Sequence, residues 1–574
     1  MNSGTHATTR QSTVPERTLL LLSLLIIIFV LCENLLLPCG RDQGIYAVTA
    51  RTMLEGGAPY RDAWDFKPPG IYFIYAAARL LFGSGIYAVR ILESLGLLSL
   101  VIAFALFSRR HFGSAGAGIV GGALTLLVHT QFDWWQTGQP ESFGAVLLAW
   151  AVLCATYRPA VGAARPRPRQ IAAWTSAGML YTAAALCKPP LGGGFVVSLA
   201  LVIWYCRRSN AHAPSATIER ERSSTDDGKP GSSAAGTVPS TLSTGSPDGT
   251  GRASVISVSF IAGALLVLLA CLLYFVITGA LGDLYRALFL FAPRYTAVTA
   301  SDASFPLQLL RVFRFWLFSH SWVGAVGLVL ALALPVGAAR EREGVLHVAG
   351  ILLMQAIGVA MQSKFFAYHF GAIFPFTALL AGWGYWKLLR FRGIRFAVPI
   401  LLVAFCTLQM VVKGAAARTA RRIEALARPE ARERIYDRLY SIRTYEAAEI
   451  RDTSRWLREH TPADEPVFVW GFLPVIYLQA DRALASRYIY NIPQRMAWDD
   501  GAARRTLLRE LTASSPAAIV VAVRDNFRAV TGNDFDSGQE LRRFPELQQF
   551  VDARYTLSKR FGNLFIFLRN DLRE

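Results

Sequence analysis

Seven lysines stand against 52 arginines in this chain, and Lys67, Lys188 and Lys364 lie at the ends of apolar runs or in the turns between them. An ammonium there is a compact point charge suited to a phosphate oxygen. The other reading is a long side chain snorkelling to a membrane interface. Asp42 opens a helix-like segment, where an aspartate either caps the helix or offers a carboxylate that can take a proton. Glu141 stands at the mouth of an apolar run, where an ionised group is costly unless paired or hydrated. It can pair with an arginine, position a substrate or help hold a metal. His369 can contact a phosphate or only hold a hydrogen bond at a helix end. Tyr60, Asp62 and Asp65 fall in a Pro/Gly-rich stretch where aspartates commonly shape turns. Asp62 and Tyr60 are kept as candidates for positioning that loop or a second substrate.

The elements that must hold these groups are set by composition. Of 574 residues, 53% are hydrophobic and 17% charged, against about 25% charged in an ordinary soluble chain. Much of the surface is therefore expected to face lipid. The net charge of +19 invites a nucleic-acid partner, but the excess sits in short loops between apolar runs, as membrane orientation requires. Residues 414–574 are close to balance, at about +4 by count of side chains, so no nucleic acid is expected. The seven cysteines lie within or beside apolar runs, without metal-ligand spacing, and read as small apolar residues.

Eleven runs are candidate spans: 18–37, 85–107, 113–130, 142–157, 171–187, 191–206, 255–277, 316–336, 345–361, 368–388 and 396–412. Several approach the lower length limit for crossing a bilayer. The first is too long for a signal-peptide core and no small-residue cleavage site follows it. With residues 1–17 as a cytoplasmic tail, the basic loops fall inside and the lighter ones outside. Residues 207–252, rich in Ser, Thr, Gly, Pro and Ala, then form a disordered cytoplasmic loop. The loop 38–84 lies outside, and its apolar piece Ile71–Phe82 is too short to span. After a membrane domain over 18–413, residues 415–459 read as helices leaving the membrane. Short β-branched and aromatic runs at 466–471, 487–490, 518–523 and 564–567 alternate with helix-like segments such as 501–512. That alternation predicts a small extracytoplasmic α/β domain within 414–574.

Three pieces of the outer loop, Arg41-Asp42-Gln43-Gly44, Gly56-Gly57-x-Pro59-Tyr60-x-Asp62 and Asp65-x-Lys67-Pro68-Pro69, together resemble the first extracytoplasmic loop of GT-C glycosyltransferases. The likeness is to the branch of protein O-mannosyltransferase-like enzymes, and more loosely to bacterial aminoarabinose transferases acting on lipid A. Fainter likenesses are Gln139-Pro140-Glu141, Cys187-Lys188-Pro189-Pro190, Tyr368-His369 with Pro375, and the runs 467–471 and 485–488. The resemblance implies a polytopic GT-C-like membrane enzyme of a bacterial plasma membrane. It would move a sugar from a polyprenyl phosphate to a hydroxyl acceptor, with inversion at the anomeric carbon. Asp42 would be the base, and Lys67, Lys188, Lys364 and His369 the donor-phosphate contacts. Glu141, Tyr60 and Asp62 would position the acceptor or the loop. Two departures bear on a divalent metal, which stays open: Gln43 stands where many relatives have an acid, and Phe66 where the lipid A transferases have Glu. The competing classes are a transporter, which would place polar segments near the bilayer midplane and often repeat internally, and a nonenzymatic membrane scaffold.

Overall fold

A computed structural model describes residues 14–85, 87–157, 166–211, 249–299, 304–318, 322–362, 364–390 and 394–572. The chain is a helical bundle followed by a small mixed sheet. Its first helices are α1 (Val14–Asn34), α2 (Arg41–Leu54), α3 (Gly70–Phe82), α4 (Ala88–His111), α5 (Ala115–Gln136) and α6 (Pro140–Ala155). Then come α7 (Pro168–Cys187), α8 (Gly194–Ala211), α9 (Gly249–Ile277), α10 (Ala339–Gln362), α11 (Ile373–Arg390) and α12 (Ile394–Ala427), with shorter helical pieces over 281–333 between α9 and α10.

Among the described residues each predicted span overlaps a helix. Among the described residues, however, six helices combine the length and apolar character needed to cross a membrane, so about eleven crossings exceeds what helix length alone establishes. The run 316–336 is divided between Phe305–Phe318 and Trp322–Ala333. The loop expected over 207–252 is trimmed at both ends, because α8 continues to Ala211 and α9 starts at Gly249. The rest of that loop and most of the N-terminal tail lie outside the described residues.

Leu21, Leu25 and Ile28 of α1 and Leu265, Leu266, Leu269 and Leu273 of α9 are exposed. Such apolar stripes on long helices are the lipid-facing surface of an integral membrane protein. In lipid, helices associate through close packing rather than through the hydrophobic effect, which favours small residues at crossings. Helices α7 and α9 follow this rule. A Cβ on Gly178 would overlap the Phe260 carbonyl, and one on Gly263 the Thr175 carbonyl. The α5–α11 crossing is closed in the same way by Gly121 and Gly382.

Two polar clusters sit where helices stop being regular. Arg90, fully buried, donates to the carbonyls of Leu37 (3.2 Å) and Pro38 (2.6 Å) after α1 and to Trp134 O (3.3 Å) in α5. It also reaches Thr137 Oγ1 at 2.8 Å and Glu93 at 2.9 Å, while Glu93 accepts the Gly138 N–H at 2.6 Å. Asp133 has φ +52° and breaks the helical path of α5. Its carboxylate takes Arg422, which also binds Glu33 at 2.5 Å, and Arg418 at 3.1 Å. Freed backbone groups in an apolar bundle must find partners inside the protein, and these side chains supply them.

Beyond α12, helices Pro429–Tyr440 and Ala447–His460 lead to a four-stranded sheet. Its strands are β1 (Val467–Trp470), β2 (Ala518–Ala522), β3 (Tyr555–Phe561) and β4 (Leu564–Arg569), in the order β1-β2-β4-β3. β1 runs parallel to β2 and the other pairs are antiparallel. The predicted strands at 466–471, 518–523 and 564–567 are present, and β3 joins them. Residues 487–490 do not enter the sheet. The Arg487 carbonyl accepts the Trp64 N–H at 2.7 Å, so this extended segment pairs with the first loop instead.

Candidate active site

The first loop is pinned from both sides. Gly44 of α2 packs on the backbone of Val475, and Gly70, at the start of α3, packs on Leu186–Cys187 at the end of α7, with no room for a Cβ at Gly70. Arg51 donates to Tyr477 O (3.2 Å) and Arg482 O (2.7 Å), and Tyr490 Oη donates to Asp65 at 2.6 Å. Membrane helices and the C-terminal domain thus hold the same forty residues.

At this junction lies a cavity of about 570 Å³. Asp42, Lys67, Glu141, Lys188, Lys364 and His369 all line it, and so does Arg41. Asp42 sits in the first turn of α2, but Gly40 holds the N-cap position and the Gly40 N–H is taken by Gln43 Oε1 at 3.0 Å. The Asp42 carboxylate instead accepts from Gln139 Nε2 at 3.4 Å and lies 3.8 Å from Lys67 Nζ. Tyr46 donates to Gln139 Oε1 at 2.9 Å and fixes that amide.

Gln43 points away from the cavity. It is fully buried and clasps Trp134 O (3.0 Å) and Thr137 O (2.5 Å), tying α2 to the end of α5. The departure from an acid at this position therefore serves backbone satisfaction rather than the cavity.

Asp65 has a larger part than turn formation. It is fully buried, accepts from Tyr72 (2.7 Å) and Tyr490 (2.6 Å), and stands 3.9 Å from Lys67 Nζ. Tyr60 stays outside the cavity lining but donates to Lys67 O at 2.8 Å, which sets the lysine's backbone. Asp62 also stays outside. Its carboxylate takes the Ala58 N–H at 2.8 Å and the Arg61 guanidinium, which closes the turn.

Burial works against the charge of Lys67, but Asp42, Asp65 and Glu141 outweigh it and hold its pKa above the usual lysine value. Lys364 has the opposite surroundings. Burial, with Lys67 and Lys188 nearby, pushes it down to about 7, and its ammonium lies 3.9 Å from the Tyr295 ring centre. His369 Nδ1 is 2.6 Å from the Lys364 carbonyl, so it carries the proton and donates. The ring ties down the Lys364 backbone. Lys188 bonds directly to Glu141 Oε1.

Arg41, quoted in the loop motif without a role, turns its guanidinium between Phe472 (4.9 Å) and Trp135 (5.6 Å) and donates to Thr444 O at 2.5 Å. Phe472, Tyr490, Ile492, Phe527 and Val530 of the C-terminal domain complete the wall. Leu186, Pro190, Leu288, Phe289 and Ala292 make its apolar side. Among the described residues, no three His, Cys, Asp or Glu side chains converge as metal ligands. The two carboxylates on the cavity each face a lysine instead.

The helical bundle, its first loop and the C-terminal domain together have the fold of a solved structure, ArnT from Cupriavidus metallidurans. The crystal structure of ArnT from Cupriavidus metallidurans bound to undecaprenyl phosphate superposes with TM-score 0.55, at 12% identity over 98% of this chain and 100% of that one. The apo form of the same protein gives 0.54 at 13% identity, over 98% and 99% of the two chains. The Archaeoglobus fulgidus oligosaccharyltransferase aligns less closely, at TM-score 0.47 and 13% identity over 97% of this chain and 74% of that one. No protein-family model and no curated protein matches the sequence.

Proposed function

We propose that this protein is an inverting glycosyltransferase that moves a sugar from a polyprenyl-phosphate donor to a hydroxyl acceptor at the extracytoplasmic membrane face. The observation that carries the reading is the placement of Lys67 3.8 Å from Asp42, in a cavity with one apolar wall. A lipid-linked phosphate needs such a mixed site, and ArnT from Cupriavidus metallidurans, which shares the fold, was crystallised with undecaprenyl phosphate.

In the proposed step the acceptor oxygen attacks the anomeric carbon and its proton passes to the Asp42 carboxylate. The bond from that carbon to the phosphate oxygen breaks, and the electron pair leaves with the lipid phosphate. Lys67, Lys364 and Arg41 meet the charge that develops there, and fixed cations in a water-poor site do so effectively. Lys188 contributes less to the phosphate, because Glu141 already holds its ammonium. Tyr60 and Asp62 act on the loop rather than on the acceptor. The reaction is tested with purified protein and a panel of undecaprenyl-phosphate sugars, by following release of the lipid phosphate with a hydroxyl acceptor present. No turnover of any donor, with folded protein, would remove the reading.

A further inference from the structure

Glu141 is left unused by the proton transfer, and it draws Lys188 away from the phosphate. Glu141 is 1% exposed and lines the cavity, with Oε1 bonded to Lys188 and Oε2 buried without a hydrogen-bond partner among the described residues. Its place is rigid, since Pro140 starts α6 beside it and the Glu141 side chain packs against Gly371. A buried acceptor without a hydrogen is costly, so a ligand that fills the cavity gains by donating one.

We propose that Glu141, held by Lys188, is the subsite for the donor's sugar ring and selects an uncharged polyhydroxy sugar over one that carries an amino group. The proposal rests on the glycosyltransferase reading above. Among the described residues four cations, Arg41, Lys67, Lys188 and Lys364, line the cavity against the carboxylates of Asp42 and Glu141, and the buried Asp65 behind Lys67 adds a third negative charge. Each of those carboxylates already faces a lysine. The single negative charge of a donor phosphodiester cancels the one positive charge left over. An ammonium on the sugar would then be a further positive charge with no counter-charge, and a buried charge without its own partner is strongly unfavourable. A sugar hydroxyl supplies the hydrogen that Glu141 Oε2 lacks and brings no charge.

The test compares affinities of the full chain in detergent for bare undecaprenyl phosphate, for undecaprenyl phosphate carrying neutral pentoses and hexoses, and for their amino-deoxy analogues. At least one neutral-sugar lipid should bind on the order of 10–100-fold more tightly than both the bare lipid phosphate and its own amino analogue, as expected for a hydrogen bond to a charged group. Because Glu141→Gln keeps an accepting oxygen and strands Lys188, the diagnostic variant is the double replacement Glu141→Leu with Lys188→Met. Apolar replacement of a whole buried pair is often neutral for folding. In that variant the ratio of sugar-lipid to bare-lipid affinity should fall to near one. An unchanged ratio, or an amino-sugar lipid that binds the wild type best, would overturn the proposal and leave the glycosyltransferase reading intact. Failure of the wild type to bind any polyprenyl phosphate would remove both.

Discussion

Asp42 and Lys364 carry the clearest predictions among single side chains. Because Gly40 rather than Asp42 occupies the N-cap, Asp42→Asn should leave folding nearly untouched. If the carboxylate takes the acceptor proton, the variant should lose on the order of 10²–10⁴ in single-turnover rate. Donor affinity and thermal stability should hold, and a fully active variant would end the base assignment. Lys364 predicts a pH dependence. With its pKa pushed down to about 7, it is protonated below that pH and ready for the phosphate. Above pH 7 the free protein loses this proton and must take it back on binding the donor. Donor affinity should therefore weaken by up to about tenfold per pH unit above 7, since a tenfold change in proton activity enters the binding equilibrium directly. Lys364→Met should bind more weakly at pH 6 and show a flat profile between pH 7 and 8.5. A wild-type profile with no slope over that range would exclude the role.

Between helices, the Arg90–Glu93 cluster is the element that sets the site's floor. It joins the end of α1, the end of α5 and the turn that carries Gln139, and Gln139 in turn contacts Asp42. Arg90→Met removes donors from three backbone carbonyls and leaves Glu93 buried with a weaker partner in His129. Breaking one side of such a pair costs about 3–5 kcal/mol. Denaturant unfolding in detergent should record a loss of this size, whereas a change below 1 kcal/mol would mean that the carbonyls find other donors.

For the molecule as a whole, the sheet domain belongs to the site and is not an appendage. Tyr490 Oη reaches Asp65, and Asp65 faces Lys67. Tyr490→Phe keeps the ring and deletes one bond to a buried carboxylate, which is worth about 1.5–3 kcal/mol. It should weaken donor binding, although Tyr490 is 425 residues from Asp65 in sequence. A donor affinity equal to wild type would make the contact only structural. The same junction fixes a topological expectation, because a cavity shared by loop 38–84 and residues 414–574 requires both on one side of the membrane. Single cysteines placed in each and labelled in intact cells should react alike, and opposite accessibility would break the proposed site.

The helices, the change to an α/β pattern after residue 414 and the presence of Asp42 and Lys67 in one loop were legible from sequence. Apolar periodicity reports which face of a segment avoids water, and the loop motif sets Asp42 and Lys67 only 25 positions apart. Tertiary structure alone decided which polar groups meet. It joined Glu141 to Lys188, buried Gln43 against α5, turned Asp65 from a turn former into a support for Lys67, and brought in Arg41. It also drew 487–490 away from the sheet and onto Trp64. Hydrophobic pattern specifies burial but not partners, since any buried polar atom must find a hydrogen bond and many would satisfy it. The choice among them is made by packing across long separations, which no local window of sequence contains.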